Sequence, residues 1–314
     1  MRPLIFAMVL GSGGLGNGWR AAARLWAVPA AIGEAFAGAA VLLWLGLVLA
    51  YARHWFADPR AALADMQHPA QGMLASLLPV ATLIASLALR PHLPMTAWIM
   101  ALAGLAGVVA FAAWAIGGLW QDGRTAADTT AVFYMPTVGG GLVAALAAGS
   151  FGAVETGWLF FGLGLLSFLA MESVVVARMI QAPLPADRRA TLGVHMAPPA
   201  VASVALMALS DDAGLMPFAL MLFGYGCFQA LVLLRLVPWL RQQAFGPTAW
   251  AYTFGISALP LAAIRLVERG AGAPVTLLAP ALFAAANLII GWIALRTLWS
   301  LVGGQVAVAG RRGG

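Results

Sequence analysis

Ten apolar runs, parted only by short polar breaks, follow one another along the chain at 3–18, 31–53, 71–90, 95–120, 131–149, 154–180, 191–209, 214–240, 247–267 and 275–301. A hydrocarbon core about 30 Å thick takes roughly 20 helical residues to cross, so runs of this length predict membrane-spanning helices. Of the 314 residues, 62% are hydrophobic and 9% charged, more apolar surface than one soluble globule can bury. No soluble domain is left between the runs. The chain reads as one all-α transmembrane domain over 1–314.

All 17 basic residues are arginine, and the net charge of +6 raises the question of a nucleic acid partner. Their placement answers it. Arg2, Arg53, Arg60, Arg124, Arg178, Arg188, Arg189, Arg235, Arg241, Arg296, Arg311 and Arg312 fall on the side of the N-terminus, and Arg20, Arg24, Arg90, Arg265 and Arg269 on the other. Such a bias predicts cytoplasmic termini at both ends, in an inner (plasma) membrane, without any polyanionic partner. The opening Arg2 and "PLIFAMVL" also have the form of a secretory signal. Retaining the segment keeps the span count even, as the arginines require.

The prolines divide the spans into two kinds. Pro79, Pro136, Pro198 and Pro260 lie inside spans three, five, seven and nine, at intervals of 57, 62 and 62 residues, while spans two, four and six have no internal proline. A proline inside a helix removes a backbone hydrogen bond and crowds the preceding turn, at ~3 kcal/mol. In hydrocarbon such a fault is tolerated where the helix faces protein or a water-filled cavity. Odd helices are therefore expected inside and even helices outside, as five hairpins around a central pore. Span one has no such proline, but "GSGGLGNG" (11–18) is expected to bend and narrow it through Gly11 and Gly14.

Several stretches carry a family resemblance: "QHPAQGMLASLLPVATLI" (67–84), "FYMPTVGGG" (133–141), "WLFFGLGLLSFLAMESVV" (158–175), "RRATLGVHMAPPAV" (188–201), "LFGYGCFQALVLLRLVPWL" (222–240) and "WAYTFGISAL" (250–259). Together they resemble the tellurite-resistance/dicarboxylate transporter family, TehA-like, which includes the plant guard-cell slow anion channels. The resemblance implies a homotrimer in which each protomer has its own pore, lined by odd helices and closed by a phenylalanine of the ninth. At "YTF" that residue is Phe254. The chain departs from the pattern in helix one, where the family often has a proline after "FGI" and this sequence has Val9 in "FAMVLG".

Phe254 stands just before Gly255 and six residues before Pro260, where a bend can direct the ring at the axis. A hydrophobic ring across a narrow path interrupts hydration and so gates it. No basic residue lies centrally in an odd helix, so anion binding is expected to be weak. It should rely on backbone groups near Pro79, Pro136, Pro198 and Pro260 and on the hydroxyls of Thr82, Thr137 and Ser203. Glu172 in span six is expected to pair with Arg235 in span eight, with proton coupling as its other reading, and Glu34 to pair with Arg20 or Arg24.

His54, His68, His92 and His195 are not spaced as metal ligands, and Cys227 has no cysteine to pair with. No metal, no cofactor and no enzymatic constellation is expected. The leading expectation is a channel for small inorganic or organic anions. The alternative is a gradient-coupled carrier for C4-dicarboxylate, sulfite or tellurite-type oxyanions on the same scaffold.

Overall fold

The structure is a computed structural model that describes residues 3–68, 71–121 and 129–302. Arg2, Arg124, Arg311 and Arg312, used above for topology, lie outside these residues. No strand is present among them. Five long, unbroken helices correspond to the even spans. They are α2 (Ala30–Ala57), α4 (Pro94–Gln121), α6 (Val154–Gln181), α8 (Met216–Leu240) and α10 (Ala273–Val302), with 25 to 30 residues each. Their sequences are apolar all round, as suits helices with one face on protein and the rest in lipid.

The odd spans are each built in two parts. Span one opens with a 3-10 turn, Pro3–Phe6, before α1 (Ala7–Trp26), and span three with a short helix, Gln71–Leu74, and a turn before α3 (Leu77–Leu89). Span five passes through a 3-10 turn, Ala131–Phe133, and a π-helical turn, Met135–Gly139, before α5 (Gly140–Ser150). Spans seven and nine begin as 3-10 helices, Ala186–Met196 and Pro247–Tyr252, and continue as α7 (Ala197–Leu209) and α9 (Thr253–Glu268). The irregular part always lies on the side from which the odd spans start.

Proline explains where span three breaks. Pro79 has no N–H for the carbonyl of Ala75, four residues back, and that carbonyl accepts instead from Leu78 N at 3.1 Å. In span seven Pro198 and Pro199 occupy the first turn of α7, where a missing N–H costs nothing. Span one differs from expectation: α1 runs without interruption through its glycines, and the only departure from α geometry is the turn at Pro3–Phe6.

Consecutive helices pair as hairpins, α1 with α2, α3 with α4, α5 with α6, α7 with α8 and α9 with α10. The odd helices also touch in a closed ring, α1 to α3 to α5 to α7 to α9 and back to α1. In the most apolar windows of spans three, five, seven and nine, 72% to 94% of residues are buried, against 11% to 39% for the even helices. Nine stretches among the described residues are long and apolar enough to cross a membrane. The first helix, α1, falls outside that set because its glycines, Asn17 and two arginines dilute its hydropathy. Twelve of its 20 residues are nevertheless buried within the ring.

Candidate functional site

Two cavities lie on the axis of the ring, since each is lined by residues from all five odd spans. The near cavity, about 140 Å³, opens on the side where those spans begin. Its walls include Leu10, Leu77, Met135, Val194, Trp250 and Phe254, with Thr130, Arg188, Thr191 and Thr248 as polar members. The far cavity, about 410 Å³, is formed at the other ends by Asn17, Leu87, Leu146, Val204 and Leu261 together with polar residues. From Phe254 to Leu261 is seven residues, about 10 Å of helix, and it holds Pro260. Phe254 is the last residue of span nine to reach the near cavity, and it is buried.

Close backbone approaches hold Phe254 in this place. Gly11 of α1 faces Thr253, and a Cβ there would stand 2.6 Å from the Thr253 Cβ. Gly255 packs on span seven, where a Cβ would lie 3.0 Å from the backbone nitrogen of Ala197. Phe254 therefore sits between two helices that clasp its immediate neighbours. Local bonds fix the same turn: the Thr253 hydroxyl donates to Trp250 O at 2.8 Å, and the Ser257 hydroxyl to Phe254 O at 3.0 Å. The change from 3-10 to α-helix falls between Tyr252 and Thr253, directly before the ring. Gly14 sits opposite Ser257, so both span-one glycines serve close packing rather than a bend.

The three hydroxyls expected as pore donors turn outward instead. Thr82 donates to Leu78 O at 2.9 Å and accepts from Trp44 Nε1 of α2 at 3.0 Å. Thr137 is directed at Met171 Sδ of α6 at 3.7 Å, and Ser203 donates to Ala219 O of α8 at 2.9 Å. Each joins an inner helix to an outer one. The prolines release no donors either: what Pro79 frees is a carbonyl, already paired, and its ring lies against Gly107 of α4. Pro136 lies within the π-helical turn of span five, and Pro260 is buried inside α9.

The Glu172–Arg235 pair is also corrected. The Glu172 carboxylate accepts from Tyr134, from Tyr225 at 2.9 Å and from Gln229 at 3.3 Å, and contacts His195 Nδ1 at 3.2 Å. Arg235 is exposed and makes no ion pair among the described residues. It stands six residues beyond Gln229, about 9 Å farther along α8 and rotated to another face. The acid is thus the centre of a buried polar cluster that ties spans five, six, seven and eight, and no member lines either cavity. Glu34, in contrast, meets Arg20 in a two-pronged pair, 2.7 Å on each arm.

Four arginines that the sequence assigns to one side of the membrane, Arg20, Arg24, Arg90 and Arg265, converge on the far cavity. The i, i+4 spacing of Arg20 and Arg24 is the one sequence signal that they share a helix face. Among the described residues no group of three or more His, Cys, Asp or Glu side chains is placed to hold a metal ion.

Comparison with known proteins identifies the family. A sequence model of the SLAC1 family, described as "Voltage-dependent anion channel", matches residues 1–298. The chain is 27% identical over 304 residues to a tellurite resistance protein TehA homolog of Haemophilus influenzae, covering 96% of this chain and 90% of that one. It is 26% identical over 205 residues to the S-type anion channel SLAH2 of Arabidopsis thaliana, covering 63% of this chain and 38% of that one.

Proposed function

Because the chain belongs to the voltage-dependent anion channel family, SLAC1, we propose that it is an anion channel whose path follows the axis of the five-helix ring and whose gate is Phe254. The family makes it a channel or transporter for anions, embedded in a membrane by multiple helices. The observation that carries the finer reading is the position of Phe254. It lines a cavity walled by all five odd spans, is the last residue of span nine to do so, and stands seven residues before Leu261 of the far cavity. A phenyl ring offers an anion no hydrogen bond and no room for a continuous water file, so passage requires it to move.

The proposal includes ten crossings, both termini in the cytoplasm of an inner membrane, and a homotrimer with one path per protomer. Its support is the arginine asymmetry and the broad apolar faces of the even helices, available to lipid and to neighbouring protomers. Leu42, Leu159, Leu231 and Leu288 on these faces are all more than 60% exposed in the isolated chain.

One observation favours a second reading, a gradient-coupled carrier for C4-dicarboxylate, sulfite or tellurite-type oxyanions. Glu172 and His195 form a protonatable pair within the helical bundle, and intramembrane ionisable groups often serve proton relays. Their absence from both cavity walls weighs toward a structural role. Recording from purified protein in planar bilayers under ion substitution separates the two. The channel predicts currents whose reversal potential follows the anion gradient, whereas the carrier predicts saturable counterflow with fixed proton stoichiometry and no resolvable unitary current.

A further inference from the structure

The far cavity carries an excess of positive charge that packing alone does not explain. Arg20 is fully committed, to both oxygens of Glu34 at 2.7 Å and to Ala88 O at 2.9 Å. Arg24 Nε and Arg265 Nη1 share the single carboxylate of Glu268, at 3.2 and 2.9 Å. Arg90 makes no ion pair among the described residues. Its guanidinium carbon lies 5.7 Å from the Phe151 ring, which is itself stacked on Trp98 at 5.2 Å. Four guanidinium groups thus line one cavity of about 410 Å³, with two carboxylates beside them, leaving two positive charges over. His92 contacts Glu34 from outside this set and adds positive charge when protonated.

We propose that the far cavity is an anion-capture site for small oxyanions, in which Arg90 is the principal binding group and the Arg24–Glu268–Arg265 cluster the second. A guanidinium presents two parallel N–H donors that match the oxygens of a carboxylate or a planar oxyanion. Arg90 lies over the Phe151 ring, and its guanidinium makes no hydrogen bond among the described residues, which leaves its donors for an anion. Low-dielectric walls lined by one sign of charge raise the local concentration of counter-ions. The site thus fills the far end of the path with anions before the narrow stretch that leads to Phe254. This inference rests on the channel reading for its role in flow, and on the cavity alone for its charge.

The charge is tested without any ion flow. In Ser150→Cys, with Cys227→Ser, a thiol on the cavity wall is modified by anionic and by cationic methanethiosulfonate reagents of similar size. Asn17→Cys provides a second position on the same wall should the first variant fail to fold. The anionic reagent is expected to react faster, and Arg90→Gln to lower the anion-to-cation rate ratio by about threefold or more, the order expected for one unit charge across a small water-filled cavity. A ratio that Arg90→Gln leaves unchanged overturns the proposal.

Its role in flow is read in Phe254→Ala and in Phe254→Ala with Arg90→Gln. The double variant should conduct less at about 10 mM nitrate and converge with the single variant at about 1 M, where the screening length falls from about 30 Å to about 3 Å. Equal conductance at both concentrations overturns that role. If Phe254→Ala passes no current at all, the channel reading fails, and the labelling ratio still decides whether the cavity captures anions.

Discussion

Replacing Gly11 by alanine tests how tightly the ninth span is clasped. The added Cβ would lie 2.6 Å from the Cβ of Thr253, about 0.8 Å inside the 3.4 Å of ordinary contact. A Cβ is fixed by its own backbone, so no rotamer change relieves this overlap; α1 and α9 must move apart. Overpacking of this size costs ~1–3 kcal/mol, partly offset by the ~1 kcal/mol that alanine gains over glycine in a helix. Thr253 is fully buried, so the separated surfaces also lose their dispersion contacts. Melting of the purified protein in detergent should fall by several degrees, at about 2–4 °C per kcal/mol for chains of a few hundred residues. Because Phe254 follows Thr253 directly, the same displacement should raise resting anion current. Thr253→Gly in the Gly11→Ala background moves the small residue across the interface. The double variant should be less damaged than the sum of its parts, with a coupling of about 0.5–3 kcal/mol. Strictly additive losses, or a Gly11→Ala protein that melts and conducts like the parent, would refute the clasp.

Other expectations concern contacts and positions away from the path. Glu172→Gln should destabilise by ~1–3 kcal/mol, since Tyr134, Tyr225, Gln229 and His195 lose a charged acceptor, whereas Arg235→Gln should stay within ~0.5 kcal/mol of the parent; comparative melting checks both. Ser203→Ala deletes a buried bond to Ala219 O and should cost ~1 kcal/mol while leaving anion selectivity unaltered, which places the hydroxyl off the path. A cysteine at Leu63, an exposed position in the Pro59–Gln67 helix, should react with an impermeant maleimide only after the membrane is opened, with Cys227 replaced. Labelling in intact cells would reverse the proposed topology.

How far the sequence could be read depended on what kind of fact was asked of it. The hairpin order and the inner place of the odd helices followed from prolines, because a backbone fault in hydrocarbon has few places to go. Pro79, Pro136 and Pro198 mark a change of helix type near the start of their spans, whereas Pro260 lies inside α9, and the extent of the 3-10 stretch Ala186–Met196 has no signal in composition. Rotation of each helix about its own axis was not readable. A helix that is apolar on every side has no polar stripe to orient it, so Thr82, Thr137 and Ser203 could be placed on inner helices but not on the correct face. Depth failed for a related reason. Glu172 and Arg235 seemed level by counting, yet a six-residue difference in α8 decides which groups meet. The far arginines were legible as a topological bias and not as a cavity lining, which requires spans one, three and nine to be seen together.

The central claim, that Phe254 closes the path, is tested most directly by anion current through a graded series at that residue. Reconstituted parent, Phe254→Leu, Phe254→Ala and Phe254→Trp proteins are compared at equal voltage, matched for oligomeric content and melting temperature. A side chain that projects into a cavity supports less packing than a core phenylalanine, whose truncation costs ~3–5 kcal/mol, so the Ala protein should fold. Current should rise from parent through Leu to Ala, and Trp should remain closed, because the barrier is the apolar volume across the axis. A well-folded Ala protein that conducts no more than the parent contradicts the assignment of Phe254 as the gate.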